Sequence, residues 1–251
     1  MLLVETMNKA LSTFVNYAHR GASFYAPENT SMAFYEGIRL GANGIETDIQ
    51  MSKDGELVLF HDDTLQRVCG VDGKVQDYTR AELSKQLVHF PDASNSELAD
   101  RISFLDEFLE HFGFRNLYFA LEIKENNADI DEKFLDLVDS HDIWDKVIVT
   151  SFHKEVLERL RSKREDITLG YLVRSYDENV ESFINDNSID QICLNISNLD
   201  AHTVNLLQDK GMSVRAWGVK DTTLMQKALD LGVNAGMTID FPDLLVEAME
   251  K

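Results

Sequence analysis

The sequence predicts an α/β protein that folds as one (β/α)8 barrel, or TIM barrel, over residues 1–251. Three observations support this fold. Strand-like and helix-like segments alternate along the chain until eight strand-helix repeats are complete. The chain length of 251 residues is typical of eight such repeats. The first strand is not followed by the glycine-rich turn that an open dinucleotide-binding sheet would carry.

The predicted strands and helices occur in strict alternation, which favours a closed parallel barrel. The strands are predicted at Val15–His19, Gly44–Gln50, Leu117–Ile123, Lys146–Ser151, Thr168–Val173, Gln191–Asn195, Ser213–Gly218 and Gly236–Ile239. The helices are predicted at Asn29–Leu40, Phe104–Phe112, Ile130–His141, Lys154–Lys163, Glu178–Asn185, Ala201–Lys210, Thr222–Leu231 and Pro242–Glu250.

A small hairpin and loop insertion is predicted after the second strand. The short turn Lys53–Gly55 contains Asp-Gly and is followed by the apolar run Leu57–Phe60. A turn of this kind predicts an antiparallel hairpin, which returns the chain to the carboxyl end of the second strand. The following stretch, Asp62–Arg101, is predicted to be rich in loops.

The chain is strongly acidic. It has 24 basic and 44 acidic residues and a formal net charge of −20. Such a charge repels polyanions and argues against nucleic acid as a partner, because nucleic-acid binding depends on neutralising phosphates with Lys and Arg. A site for a small phosphate compound must therefore be locally basic or hold a cation.

The location and the membrane contacts of the chain are predicted from a few features. Cys69 and Cys193 are far apart and do not suggest a disulfide framework. No signal peptide and no apolar run of membrane-spanning length is recognised. The segment Leu2–Val15 is the one candidate for membrane contact, and it lacks a basic face. We expect a cytoplasmic protein with reduced thiols and no stable membrane association.

Three carboxylates are expected to form a metal site where barrel strands end. Glu46 and Asp48 are two residues apart on one strand and therefore share a face, and Glu122 ends the next barrel strand. Converging carboxylates repel one another, and a divalent cation relieves that repulsion. Oxygen ligands favour Mg²⁺ or Ca²⁺ over Zn²⁺. The alternative is that each acid forms an ion pair with Arg20 or Lys124.

Two histidines and two cations are expected around the same rim. His19 and His61 follow different strands, and imidazole suits acid–base chemistry near neutral pH. Arg20 can contact a phosphate through two nitrogens, and Lys124 can add a charge from the other side. We expect the two histidines to flank one phosphorus atom and the two cations to bind its oxygens.

Two aromatic residues lie at the ends of later strands, and the sequence does not decide between two interpretations of them. Phe152 and Trp217 can line a substrate pocket or belong to the barrel core. The histidines at 89, 111, 141 and 202 are interpreted as residues that make ordinary hydrogen bonds and have no catalytic role.

The motifs that contain these residues resemble those of the glycerophosphodiester phosphodiesterase family. Each motif is weak alone, whereas the ordered set is specific and extends from His19 to Asp243. The motifs are His19–Gly21, Pro27–Thr30, Glu46–Gln50, Lys53–Gly55, His61–Arg67, Leu121–Lys124, Ser151–Phe152, Trp217 and Asp240–Asp243.

The resemblance implies a TIM barrel that cleaves glycerophosphodiesters into glycerol 3-phosphate and an alcohol. It implies a divalent metal on the three carboxylates, the histidine pair as acid and base, and phosphate binding by Arg20 and Lys124. It also implies that a substrate hydroxyl attacks first and gives a cyclic phosphate that water opens. The residues themselves do not decide between that route and direct attack by water.

Some positions depart from the family pattern or have open roles. Ile239 stands where a threonine is usual before Asp240, so Asp240 receives less weight as a site residue. Glu28 and Asn29 are expected to cap the following helix at least as readily as to contact substrate.

Two alternative functions are kept. The first is a lysophospholipase D-like enzyme acting on lysolipids, and the second is a non-catalytic barrel that binds a metal and an anion. The released alcohol, the choice between Mg²⁺ and Ca²⁺, and the choice between monomer and dimer are left open.

Overall fold

A computed structural model of the chain describes residues 14–90 and 97–250. Its twelve strands are β1 (Val15–His19), β2 (Gly44–Met51), β3 (Leu57–Leu59), β4 (Leu87–His89), β5 (Ala99–Arg101), β6 (Ser103–Phe104), β7 (Tyr118–Ile123), β8 (Val147–Ser151), β9 (Leu169–Val173), β10 (Gln191–Asn195), β11 (Ser213–Val219) and β12 (Gly236–Ile239). Eight of them form a parallel barrel in the order β1, β2, β7, β8, β9, β10, β11, β12. The pairing of β1 with both β2 and β12 closes the barrel, so the predicted fold is confirmed.

The helices follow the strands as predicted. They are α1 (Ser31–Arg39), α2 (Gln66–Cys69), α3 (Arg80–Leu83), α4 (Leu105–Phe112), α5 (Asp129–His141), α6 (Lys154–Lys163), α7 (Glu178–Asp186), α8 (Ala201–Asp209), α9 (Thr222–Asp230) and α10 (Pro242–Met249). The barrel helices α1, α7, α8 and α9 begin where a Thr or Asp side chain accepts a hydrogen bond from a free backbone N–H group.

Alternation along β2 shows how the barrel separates core from site. Ile45 and Ile49 point outward and are fully buried among the apolar side chains between the barrel and its helices. Glu46 and Asp48 therefore point to the opposite face, which is the barrel interior. A period of two along one strand thus directs apolar groups to the core and acidic groups to the site.

The insertion after β2 is more structured than predicted. Strand β3 pairs antiparallel with β2, which confirms the hairpin, and β6 pairs antiparallel with β3. The stretch Asp62–Arg101, predicted as loops, includes α2, α3 and the paired strands β4 and β5. Phe104 was predicted to begin a helix, but it ends β6. Elements of two to four residues are too short for a periodic pattern, so their partners decide them.

No helix in the described ranges is both long enough and apolar enough to cross a membrane. Residues 2–13 of the segment considered for membrane contact lie outside those ranges.

Candidate active site

One cavity at the carboxyl end of the barrel collects the predicted site residues. It has a volume of about 230 Å³, and its lining includes every predicted site residue except Asp48. Asp48 lies directly behind the lining, 1% exposed. The rest of the lining consists of Leu172, Arg215, Gly218, Lys220 and Thr238. The strand ends therefore converge as a (β/α)8 barrel requires.

The three predicted carboxylates come together. Glu46, Asp48 and Glu122 are buried, and one oxygen of each lies within 4.8 Å of the other two. Asp48 is paired directly with Glu122 in the register between β2 and β7. Asp48 Oδ1 is buried and accepts no hydrogen bond within the described part of the chain. An oxygen-only group that includes a buried oxygen without a hydrogen bond fits a hard divalent cation.

The crowding of these acids is visible in their pKa values. Burial and the neighbouring Asp48 raise the pKa of Glu46, and the same two causes raise the pKa of Glu122 to about 7. Burial acts in the same direction on Asp48, but Arg20 and Lys124 outweigh it and lower the pKa of Asp48. The cluster thus contains more negative charge than its surroundings balance, and a cation would relieve the excess.

Both predicted histidines form a hydrogen bond with a carboxylate. His19 Nδ1 lies 2.5 Å from Asp240 Oδ1, and His61 Nδ1 lies 2.7 Å from Asp62 Oδ1. A carboxylate only accepts, so each Nδ1 donates, and each Nε2 is left for the cavity. His19 Nε2 lies 4.0 Å from Glu46 Oε2, beside the acid cluster.

The two histidines differ in pKa. Burial and Arg20 lower the pKa of His19, whereas Asp240 and Glu46 raise it, and the net shift is upward. Burial lowers the pKa of His61, and the opposing effect of Asp48 does not compensate. Their environments therefore separate two groups that have the same ordinary pKa.

The two predicted phosphate-binding cations flank the acid cluster. Arg20 Nε lies 3.2 Å from Asp48 Oδ2, and Lys124 Nζ lies 2.8 Å from Glu122 Oε1 and 3.4 Å from Asp48 Oδ1. The carboxylates thus converge and also form ion pairs, so both interpretations considered from the sequence describe part of the geometry.

Asn29 positions Asp48 and does not cap a helix. Its side-chain amide donates to Asp48 Oδ2 at 2.9 Å, and its carbonyl oxygen accepts from Thr47 Oγ1 at 2.7 Å. Thr30 caps α1 instead, so the capping role expected for Asn29 is wrong. Asn29 and Arg20 both have positive φ values, of 55° and 56°. Such conformations are uncommon for residues other than glycine and often occur at functional sites.

Glu28 links two arginines and so connects the site to the insertion. Its carboxylate accepts from Arg20 Nη1 at 2.9 Å and from two nitrogens of Arg67 at 2.7 Å each. Arg67 also donates to Asp62, the partner of His61. The helix-capping role considered for Glu28 is therefore replaced by a role in this ion-pair chain, which joins α2 to the barrel rim.

Phe152 and Trp217 line the cavity. Their rings meet edge to face with centroids 5.4 Å apart. Trp217 Nε1 donates to the carbonyl groups of Val173 on β9 and Cys193 on β10, which anchors the indole on these two strands. Phe152 is 38% exposed, so it is a wall of the cavity and not a core residue.

Asp240 was underweighted from the sequence, and its position corrects that assessment. Asp240 received less weight because Ile239, the residue before it, stands where the family usually has a threonine. Ile239 faces the outer core and is fully buried there, whereas Asp240 turns inward and holds His19. Ser23 Oγ donates to the same Asp240 oxygen at 3.0 Å. The pattern of alternation along this segment was the signal that could have identified Asp240.

Comparisons with known proteins agree with the fold and identify the family. The family model described as "Glycerophosphoryl diester phosphodiesterase family" matches residues 19–244. A glycerophosphodiester phosphodiesterase from Bacillus altitudinis is 31% identical over 246 residues, which cover 94% of this chain and 98% of the relative. A human protein named lysophospholipase D GDPD1 is 30% identical over 157 residues, which cover 61% of this chain and 49% of the relative.

A solved structure extends the comparison of the fold. It is an Oleispira antarctica phosphodiesterase in complex with the product sn-glycerol-3-phosphate, with a TM-score of 0.85 and 24% identity, covering 94% of this chain and 96% of that chain. Because the family model spans nearly the whole chain, this protein belongs to the glycerophosphoryl diester phosphodiesterase family.

Proposed function

We propose that this protein hydrolyses glycerophosphodiesters to glycerol 3-phosphate and an alcohol. The observation that carries the proposal is the meeting of His19, His61 and the acid cluster in one cavity. Family membership and the names of the relatives support the same reaction. A phosphodiester needs charge neutralisation together with an acid and a base, and the cavity contains groups suited to each task.

We propose that Glu46, Asp48 and Glu122 bind a divalent cation, Mg²⁺ or Ca²⁺. The oxygen-only group, its burial and the lack of a hydrogen bond to Asp48 Oδ1 support this assignment. When bound, such an ion acts as a Lewis acid toward phosphoryl oxygens and orients them. Asn29 contributes by holding Asp48 in place through its side-chain amide.

His19 and His61 act as acid and base. One Nε2 takes the proton of the attacking hydroxyl group, and the other gives a proton to the oxygen of the departing alcohol. Asp240 and Asp62 orient the two rings through Nδ1. The attacking group is a substrate hydroxyl or a water molecule, and the same pair of histidines serves both routes.

Arg20 and Lys124 donate to the phosphate oxygens. Both side chains lie at the border of the acid cluster and line the cavity, so they can contact an anion there without large movement. Their charges explain how a chain with a net charge of −20 accepts an anionic substrate. Phe152 and Trp217 pack against the carbon atoms of the substrate.

Turnover of lysolipids is the second candidate. It is supported by the human relative named lysophospholipase D, which matches 61% of this chain. The aromatic wall at Phe152 and Trp217 offers apolar surface at the cavity, but its extent does not by itself select a lipid over a glycerol compound.

The test is a panel of substrates and ions. The protein is treated with EDTA and then assayed with Mg²⁺, Ca²⁺ or no added ion on glycerophosphocholine, glycerophosphoethanolamine and lysophosphatidylcholine. We expect release of glycerol 3-phosphate from the first two compounds, only after an ion is restored. Full activity after exhaustive chelation would contradict the metal assignment, and preferred turnover of lysophosphatidylcholine would favour the second candidate.

We also propose a cytoplasmic location. It is supported by Cys69 and Cys193, which are both free thiols in the structure. Fractionation of cells that produce the protein would check this, and recovery in a membrane or secreted fraction would contradict it.

A further inference from the structure

Arg215 is a buried cation at the floor of the cavity. It is 1% exposed, and it lines the same cavity as the two histidines. It precedes Trp217 by two residues on β11, so both side chains face the barrel interior, with Arg215 about 7 Å deeper along the strand. The proposed roles described above leave this residue without a function.

The guanidinium group of Arg215 has unused donors. Its central carbon lies 4.8 Å from the centroid of the Tyr17 ring. Burial raises the pKa of Tyr17 to about 12, so that ring is neutral. The guanidinium group also interacts with the side chains of Tyr17 and Cys193, but its Nε and Nη1 have no hydrogen-bond acceptor among the residues that the structure describes. Buried donors without acceptors are destabilising, and native proteins rarely keep them without a reason.

Thr238 adds a second unused polar group to the same floor. It is 7% exposed, lines the cavity, and its Oγ1 has no hydrogen-bond partner within the described ranges. Arg215 is in register with Gly236 on β12, and Thr238 is the next inward-facing residue after Gly236. Arg215 and Thr238 are thus adjacent, one at the floor and the other at the level above.

The surroundings indicate which ligand would satisfy these groups. Leu172, Phe152 and Trp217 form apolar walls, so the space beside Arg215 and Thr238 combines apolar surface with a few directed donors. That combination fits a short carbon chain that bears a hydroxyl group. If the phosphate binds at the acid cluster, the glycerol carbons extend from it toward this floor.

We propose that Arg215 and Thr238 bind the terminal hydroxyl group of the glycerol moiety and so select glycerol esters over alkyl esters. The inference rests on the proposed function. Arg215 donates to the hydroxyl oxygen, and Thr238 Oγ1 completes the contact as donor or acceptor. A site built to hydrogen-bond a substrate hydroxyl discriminates strongly against an analogue that lacks it, because its buried polar groups are then left unpaired.

The proposed contact with the terminal hydroxyl group is tested by comparing two substrates that release the same alcohol and differ in that hydroxyl group alone. One is a glycerol phosphodiester, and the other is the matching propane-1,2-diol 1-phosphodiester, which lacks only the terminal hydroxyl. The second compound keeps the hydroxyl group next to the ester carbon, so both routes of attack remain open to it. We expect kcat/KM of the unmodified protein to favour the glycerol ester by at least about tenfold.

Substitutions of Arg215 and Thr238 then test whether these two residues cause the preference for the glycerol ester. Arg215→Met should lower the ratio of kcat/KM values for the two substrates to roughly twofold or less, mainly through a higher KM for the glycerol ester. Thr238→Val should lower the same ratio to about one third of its value in the unmodified protein. Arg39→Met, on the outer surface of α1, is the matched control and should keep the full preference. An unchanged preference in both Arg215→Met and Thr238→Val would overturn the inference.

Arg215 also lies near Glu46, so its charge needs a separate control. Arg215→Lys keeps the charge but loses the planar fork, and we expect an intermediate preference. Calorimetric Kd values for Mg²⁺ and Ca²⁺ should change less than threefold in Arg215→Lys. Equal losses of turnover on both substrates in Arg215→Met, with both rates restored in Arg215→Lys, would mean that Arg215 acts only through charge and would overturn the inference.

A binding measurement separates this inference from the proposed function. Calorimetry compares sn-glycerol 3-phosphate with propane-1,2-diol 1-phosphate and does not require turnover. If no glycerophosphodiester is hydrolysed but the unmodified protein still prefers the first ligand and Arg215→Met does not, the proposed function fails and the floor contact stands. If hydrolysis occurs and neither ligand is preferred, the floor contact fails alone.

Discussion

The two halves of the barrel mouth differ in chemistry. The half formed by β1, β2 and β7 carries the acid cluster, His19 and the two flanking cations, all tied together by hydrogen bonds and ion pairs. The half formed by β8, β9 and β11 carries Phe152, Leu172 and Trp217. The groups proposed to react and the groups proposed to shape the substrate pocket are thus held by separate strands, so substitutions should affect them separately.

The two halves are also held in place by different interactions. Side-chain hydrogen bonds such as Asn29 to Asp48 and His19 to Asp240 orient the charged half. The aromatic half relies on edge-to-face ring packing and on the anchor of Trp217 to backbone carbonyls. Directed polar contacts fix atoms for chemistry, whereas packing defines a volume that a substrate fills.

The largest effect is expected from removal of an imidazole on the charged side. His19→Ala and His61→Ala should each lower kcat by at least about a hundredfold, because proton transfer to or from the reacting oxygens loses its positioned group. Steady-state kinetics on a glycerophosphodiester measure this effect. His202→Ala, in the exposed first turn of α8, should behave like the unmodified protein.

Near-normal rates in either histidine variant would contradict the acid–base assignment. Absence of hydrolysis by the unmodified protein, with an intact fold by circular dichroism and intact ion binding, would instead favour the non-catalytic barrel that binds a metal and an anion.

A smaller effect is expected from the group that orients His19. Asp240→Asn should lower kcat by roughly tenfold to a hundredfold, because a neutral amide holds the Nδ1–H group less firmly than a carboxylate does. KM should change little, because Asp240 does not line the cavity. The comparison is made with Asp243→Asn, which removes a carboxylate three residues later that accepts from the Tyr25 hydroxyl group. Equal kcat values for both variants would show that Asp240 does not assist His19.

The smallest effect is expected on the aromatic side. Phe152→Ala should raise KM by about threefold to tenfold and leave kcat within roughly twofold, because it removes apolar contact area but no reactive group. Phe114→Ala provides the control, since Phe114 is 75% exposed and does not line the cavity. A large fall in kcat for Phe152→Ala would mean that the two halves are not separable.

The sequence by itself determined the repeating pattern and predicted most of the residues that meet at the candidate site. Strand boundaries lie within one residue of those predicted, because each strand encodes its apolar run locally. The spacing of Glu46 and Asp48 determines that they share a face. Placement of the site at the strand ends follows from barrel geometry alone.

Only the tertiary structure decided which distant groups meet. Asp240 reaches His19 across 221 residues of sequence. Arg215 lies at the cavity floor, although on its strand the sequence marked Trp217 and not Arg215 as a candidate. The short strands of the insertion likewise form through pairing, β6 with β3 and β4 with β5. Such contacts depend on barrel closure and strand register, which bring together segments whose local sequences contain no information about one another.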